Sequence, residues 1–478
     1  MSNDASDIKM ETVHLENITN KQIDECDTKA HARLRRRIDR RLLPLCAWLY
    51  LMNYLDRSNI GNAKILNQET GDSLLQKTGM RAIDYSLTIT VFSIAYSIFD
   101  VPSNWVLKRY CRPSLWLAFL ALGWGALTLG FAWADNVSVV IAIRFFIGVF
   151  EAGFFPGIVY VIAAWYRSEE RAFRICIVSS SATLAGCFGG CIAYGMAFLN
   201  RKGNLAGYQW LFIVEGAITI LCTSLIVAFM PNFPDTAKWL SEEEKDFAQR
   251  RLGEQSVSFT SEPASRREII ETCVGPRMLG HYCAYLSNAI VINSLVYFCP
   301  TIVAGLGYTS IEAQLMTVPP WALGYILCLC LAWTADHFNQ RSLIVTVASI
   351  GSGAAFLATT LLPVTAYRKK YACLIISCCG VFSNIAPLTS WVICNMPSPR
   401  VVGLAAALNN AMVGIGSIIA LWIWKDSEKS TGYPTGNSVC AACSFVTAVV
   451  AFGLRWTYTR MNRMNILDTT GIARDWKL

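Results

Sequence analysis

The chain has 478 residues, 54% of them apolar and only 15% charged, with a formal net charge of +8. Its mean hydropathy is +0.39, and soluble chains carry about 25% charged residues, so an ordinary soluble domain is excluded. The surplus of positive charge calls for no nucleic-acid partner, because most of the 41 Lys and Arg fall where the cytoplasmic segments of a membrane protein are expected.

Residues 1–41 form a polar tail that ends in Arg33, Arg35-Arg36-Arg37 and Arg40-Arg41. Such a juxtamembrane cluster fixes the N-terminus in the cytoplasm and is suited to touch anionic lipid. The apolar run that follows is too long for the core of a signal peptide, so the first span itself directs insertion. Apolar runs of ~20 residues then recur, each long enough to cross ~30 Å of hydrocarbon. They lie at 42–61, 86–107, 115–134, 138–161, 172–199, 210–230, 280–304, 315–335, 343–362, 371–393, 402–424 and 437–457. The runs are continuous rather than alternating, which makes them helices and not barrel strands.

The sixth and seventh runs are separated by a charged stretch containing Ser241-Glu242-Glu243-Glu244-Lys245 and Arg266-Arg267-Glu268. Glu244 stands at the capping-box position relative to Ser241. The expected architecture is an all-α membrane protein of twelve transmembrane helices in two six-helix pseudo-repeats. Its parts are a cytoplasmic tail (1–41), an N-terminal bundle (42–230), a cytoplasmic linker (231–279), a C-terminal bundle (280–457) and a second cytoplasmic tail (458–478). With both termini inside, the basic groups Lys108-Arg109-Arg112, Arg167-Arg171-Arg174 and Arg341 fall inside as well. Arg368-Lys369-Lys370 falls outside and runs against the rule.

The 18 cysteines sit mostly within apolar runs, where a thiol is a small apolar filler. Cys440-x-x-Cys443, Cys328-x-Cys330 and Cys378-Cys379 have no companion His or second pair in a loop, so no metal site and no disulfide framework is expected.

Span 1 carries Asn53-Tyr54-Leu55-Asp56-Arg57-Ser58-Asn59 inside its apolar run. An ionised side chain at the bilayer centre costs roughly 2.5–3.5 kcal/mol even on the lenient insertion scale. Neighbours i and i+1 on a helix do not face each other, so Asp56 and Arg57 each need a partner on another helix, in water or on a ligand. In span 4, Arg144, Gly148, Glu151 and Phe155 fall at i, i+4, i+7 and i+11, one helical stripe. The N-terminal half thus buries two bases and two acids. One reading is a charge network that only locks helices. The number of further polar groups on span 1, Asn53, Tyr54, Ser58, Asn59 and Asn62, favours a helix that lines a wet chamber. In the C-terminal half Asn384, Asn409 and Asn410 are amides within spans. They either close the chamber from the opposite side or hydrogen-bond between helices.

The motif Asn-Tyr-Leu-Asp-Arg-Ser-Asn (53–59), together with Arg144, Gly148, Glu151 and Pro156, resembles the major facilitators of the anion:cation symporter group. That group includes fungal allantoate/nicotinate/pantothenate-type permeases, bacterial sugar-acid symporters and animal sialic acid, phosphate and glutamate carriers. The resemblance covers about residues 38–460. Pro102-Ser103-Asn104 and Trp210 to Gly216, with Glu215, favour the fungal branch.

The resemblance implies a proton-coupled importer of a small organic anion, a vitamin-like or nitrogen-source carboxylate. It further implies a monomer, multi-pass in the plasma membrane, with protons as coupling ion and no other cofactor. Arg57 would bind the substrate carboxylate, with Tyr54 as a further contact. Asp56 and Glu151 would be the proton-binding carboxylates, and Arg144 would set the proton affinity of its acidic neighbour. Burial favours the neutral form of a carboxyl and a nearby guanidinium favours the anion, so a group held between the two can load and release a proton.

The loop after span 2, Leu107-Lys108-Arg109, lacks the acidic residue of the superfamily pattern. The loop after span 8 keeps Asp336 and Arg341, which would form the gate latch. Span 5 has Gly186-x-x-x-Gly190 packing spacing. It lacks the proline that drug:proton antiporters of the superfamily carry there, which counts against an exporter. An efflux carrier and a non-transporting nutrient receptor on the same fold stay open. No nucleophile–base pair points to an enzyme.

Overall fold

The computed structural model describes residues 3–237, 239–252, 265–338, 340–396, 401–464 and 476. Among these every regular element is a helix. Hydrocarbon offers no partner for backbone N–H and C=O groups, and a helix satisfies its own. Ten helices are long and apolar enough to cross a membrane, and Leu408–Ile423 is a shorter apolar one. The remaining span is the latter part of Asn3–Ile65, a helix of 63 residues. Its polar stretch 53–59 makes it the least apolar of the spans.

The spans are, in order, the end of Asn3–Ile65 (span 1), Ala82–Tyr110 (2), Pro113–Gly130 (3) and the pair Val137–Glu151 and Phe154–Trp165 (4). Ser168–Ala197 (5) and Gly207–Phe229 (6) complete the first half. The second half has Pro276–Ala304 (7), Ser310–Met316 with Val318–His337 (8) and Arg341–Leu361 (9). It ends with Tyr367–Ser383 and Ile385–Cys394 (10), Val402–Ile423 (11) and Pro434–Arg463 (12).

The packing repeats with a shift of six. Spans 1 and 5, 2 and 4, and 3 and 6 pair in the first half, as 7 and 11, 8 and 10, and 9 and 12 do in the second. Between the halves, span 2 meets 11, span 5 meets 8, and span 1 meets 7. Each of these three contacts maps onto another, or onto itself, under the same shift, while span 5 additionally meets span 10. The molecule is two six-helix bundles related by a pseudo-two-fold.

The stripe expected along span 4 is interrupted. Val137–Glu151 ends where Ala152 is extended, and Gly153, at φ +77°, starts Phe154–Trp165. Arg144, Gly148 and Glu151 share one buried helix face, but Phe155 belongs to the next helix and is not part of that stripe.

The Gly186 and Gly190 spacing on span 5 does serve close packing, against span 8. A Cβ on Gly186 would stand 2.1 Å from the Trp321 ring, and one on Gly190 would stand 2.7 Å from the carbonyl oxygen of Gln314. Outside the bundles, large apolar side chains such as Leu221, Phe229, Leu361 and Val449 are exposed, as a lipid-facing surface requires.

On the side of the termini, the linker helix Glu242–Leu252 opens on the expected capping box, with Ser241 Oγ accepting from Glu244 N–H at 3.2 Å. Part of the basic tail is engaged by this segment. Arg37 donates to both oxygens of Glu244 at 2.7 and 2.9 Å and to the Trp239 carbonyl at 2.9 Å. The Arg41 guanidinium lies 4.7 Å from the Trp239 ring centroid.

Candidate functional site

The charged residues of spans 1 and 4 meet in the middle of the first half. Arg57 Nη2 donates to Glu151 Oε2 at 2.9 Å, with side-chain exposures of 8% and 0%. An apolar box surrounds the guanidinium, whose carbon lies 5.2 Å from the Tyr54 ring, 5.2 Å from Phe92 and 4.7 Å from Tyr96. Such faces stabilise a cation through the ring quadrupole, so the three rings hold the Arg57 guanidinium in place against Glu151.

Asp56 points elsewhere, because adjacent helix positions face different neighbours. Its Oδ2 accepts from Trp124 Nε1 of span 3 at 3.0 Å and from Thr219 Oγ1 of span 6 at 3.1 Å. Arg144 stacks over Phe131 at 5.2 Å and interacts electrostatically with both Glu151 and Asp56. Glu215 of span 6 joins this group, within electrostatic reach of Asp56 and Arg144. Neither of its carboxylate oxygens has a hydrogen-bond partner among the described residues. The sequence pattern marks Glu215 only as part of the Trp210 to Gly216 motif, because nothing local shows that span 6 packs beside Asp56 and Arg144.

Between the halves is a chamber walled by Tyr50, Tyr54, Arg57, Tyr96 and Phe155 on one side and Asn288, Asn293, Thr389 and Asn410 on the other. Its free volume of about 60 Å³ holds only a few waters. Of the cluster, Arg57 alone reaches this wall. Asp56, Glu151 and Arg144 lie behind it.

Among the amides, Asn410 lines the chamber, but Asn384 and Asn409 do not. Asn384 donates to Asn288 Oδ1 at 3.3 Å and to Ser349 Oγ at 2.9 Å, so it braces a wall residue from behind. Asn409 is buried. The amides that the sequence reading missed are Asn288 and Asn293. They sit within the apolar run of span 7, the same signal that had singled out Asn384.

Of the gate pair, Asp336 lies in Val318–His337 and its side chain falls outside the described residues. Arg341 begins the next helix and donates to Cys394 Sγ at 3.5 Å.

Two helical bundles enclosing a small polar chamber, with a buried charge cluster behind its wall that reaches it through Arg57, define a membrane carrier. The Major Facilitator Superfamily pattern matches residues 46–421, and the chain belongs to that family. It is similar to the "MFS transporter prlL" of Fungal sp. (strain NRRL 50135), 42% identical over 91% of this chain and 88% of that one. It also resembles the "MFS-type transporter efuF" of Hormonema carpetanum, 31% identical over 92% of this chain and 88% of that one.

Two solved structures share the fold at 15% identity. A D-xylose-proton symporter matches with TM-score 0.65 over 86% of this chain and 97% of that chain. A bacterial homologue of the human lysosomal transporter Spinster, inward-facing and occupied, matches with TM-score 0.62 over 87% and 96%. These relatives are transporters, not enzymes, and this chain is a multi-pass membrane transporter for a small molecule.

Proposed function

We propose that this transporter imports a small organic anion together with protons, as members of the anion:cation symporter group do. The observation that carries the reading is the Arg57–Glu151 pair at the chamber wall. With Glu151 ionised, its carboxylate occupies the guanidinium. A proton on Glu151 releases Arg57, and a solute carboxylate then takes the vacated contact as a charge-assisted bond. Anion and proton therefore bind together and neither is bound firmly alone. The aromatic box around Arg57 excludes water and leaves the guanidinium nothing better than a carboxylate.

Asp56, with Arg144 beside it, is the second proton site and acts from behind the wall. Tyr54 and Asn410 contact the solute from the two halves. The chamber has to widen beyond its present volume to admit a vitamin-sized acid, which the rocking of two bundles supplies. The protein acts as a monomer at the plasma membrane with both termini in the cytoplasm, in keeping with the basic bias of the segments on that side.

Uptake of radiolabelled nicotinate, pantothenate, biotin, allantoate and sugar acids by intact cells, with and without a protonophore, tests the reading. External acid stimulates uptake of the true substrate, and the protonophore abolishes its accumulation. Arg57→Ala lowers uptake by about tenfold to a hundredfold, the worth of a buried charge-assisted contact. Glu151→Gln keeps exchange of internal for external solute but loses accumulation. Concentrative uptake by Glu151→Gln overturns the proton role, and lower accumulation in cells that carry the transporter makes it an exporter.

A further inference from the structure

The two halves touch along spans 2 and 11 in a line of short contacts. Ser86 Oγ donates to the Leu421 carbonyl at 3.4 Å, and the hydroxyls of Ser93 and Ser417 lie 2.9 Å apart. Towards the end of the molecule that carries the termini, Asn410 Nδ2 donates to Asp100 Oδ2 at 3.2 Å. Asp100 is buried and is the one ionisable side chain in this line.

Its other oxygen, Oδ1, accepts the backbone N–H of Gly153 at 3.2 Å. That N–H is available because the helix breaks at Ala152 and Gly153, two residues past Glu151. Asp100 also lies one helical turn beyond Tyr96, whose ring stacks on Arg57. One carboxylate thus grips the broken turn next to the Arg57–Glu151 pair and, at the same time, a chamber-wall residue of the opposite half.

We propose that Asp100 is a positioning residue that couples the two halves. It ties the broken turn of span 4 to Asn410 of span 11, so that a shift of the turn beside Glu151 loosens the closure of the terminal end of the chamber. The coupling is mechanical. Any movement of the Gly153 turn moves or breaks the Asp100 contact, and Asn410 is released with it. It requires only that the two halves move against each other, and it holds whatever the solute is and whatever the coupling ion.

The chemistry of the pair allows a test by exchange of roles. Asn410→Asp sets two carboxylates against each other, and like charges this close oppose ionisation of both. In D100N/N410D the amide placed at position 100 accepts from Gly153 through its oxygen and donates through its nitrogen to the carboxylate placed at 410. All three groups are then satisfied again with the charge on the other half.

Hydrogen–deuterium exchange of the full chain in lipid nanodiscs, without any solute, reads the outcome. Asn410→Asp raises exchange about tenfold in residues 402–413 of span 11 and also in residues 151–157 of span 4, the worth of one charged hydrogen bond. The double variant returns both segments to the wild-type rate. A loss confined to local packing on span 11 would not reach span 4, nor would it be repaired by a change on span 2.

The proposal is overturned if the double variant exchanges like Asn410→Asp, or if residues 151–157 do not respond. Should Asn410→Asp fail to fold, Asn410→Ala removes the donor without adding charge. It raises exchange in the same two segments, and unchanged rates there overturn the proposal equally.

Discussion

Gly153 shows how much can rest on a missing side chain. Its φ of +77° lies in the left-handed region, and a Cβ would stand 2.2 Å from Ser103 Oγ. Ser103 cannot simply step aside, since its hydroxyl accepts from Trp116 Nε1 at 3.2 Å. Gly153→Ala therefore costs about 1–2 kcal/mol from backbone conformation alone, and the displaced serine adds to it. A lower melting temperature in detergent and a lower yield of folded protein check this.

Asp72, in the loop after span 1, is a second residue with a defined signature. It accepts from Thr70, Asn200 and Arg201 at 2.8–3.0 Å and pairs with Lys77 at 3.0 Å. Burial pushes its carboxyl up, but the hydrogen bonds from Asn200, Lys77, Arg201 and Thr70 outweigh burial and hold it below the usual carboxylate range. A depressed carboxyl stabilises the fold fully above its unfolded value of about 3.9. That contribution is lost as the pH falls through the lower folded value. Asp72→Asn should cost about 1–2 kcal/mol at neutral pH, because the cations left behind, Arg201 and Lys77, are 70% and 50% exposed and find water. Thermal melts as a function of pH check it, with the gap to wild type closing as the buffer is acidified below about pH 4.

At the scale of elements, the interruption of span 4 and the docked linker helix matter most. A continuous helix would have carried Phe155 on the Arg144–Glu151 face. The break instead turns Phe155 into the chamber, where it packs 4.8 Å from the Tyr50 ring. The linker is fastened chiefly through Trp239, which stacks on Trp165 at 5.5 Å and lies beneath Arg37 and Arg41. The Arg37–Glu244 pair is half-exposed, with 45% and 34% of the side chains accessible. Its own contribution is therefore under about 1 kcal/mol. Trp239→Ala removes the ring contact and both cation–π contacts, about 1–2 kcal/mol together. Faster hydrogen exchange throughout Glu242–Leu252, with Glu244→Ala producing much less, is the expected result.

For the molecule as a whole, the end of the chamber opposite the termini is sealed by backbone approach and one cation. A Cβ on Gly61 of span 1 would lie 2.8 Å from the Tyr297 carbonyl oxygen of span 7. Lys64 crosses the seam, 3.7 Å from Asp426 and within 4.7 and 5.2 Å of the Tyr85 and Phe298 rings. The atom opposing Gly61 is backbone and cannot rotate away. Gly61→Leu therefore holds this end apart. Increased exchange in residues 57–65 and 296–304, with solute accumulation abolished, is the result that checks it.

Much of this was legible in the chain. Hydropathy and length placed the helices, because a backbone in oil has no other way to satisfy its polar groups. The expense of charge in hydrocarbon singled out Asp56, Arg57, Arg144 and Glu151, and all four do converge in the first half. The periodicity of one helix gives the depth and the face of a residue but not the neighbour that covers that face. Only the tertiary structure decided that Arg57 pairs with Glu151 and faces the chamber, whereas Asp56, one residue away, turns to Trp124 and Thr219. Only packing could add Glu215 to the cluster, place Asn384 behind the wall and Asn410 on it, and bring Asp100 between Gly153 and the opposite half. Those contacts join positions up to 310 residues apart, and they form because two bundles close on each other, which no local pattern encodes.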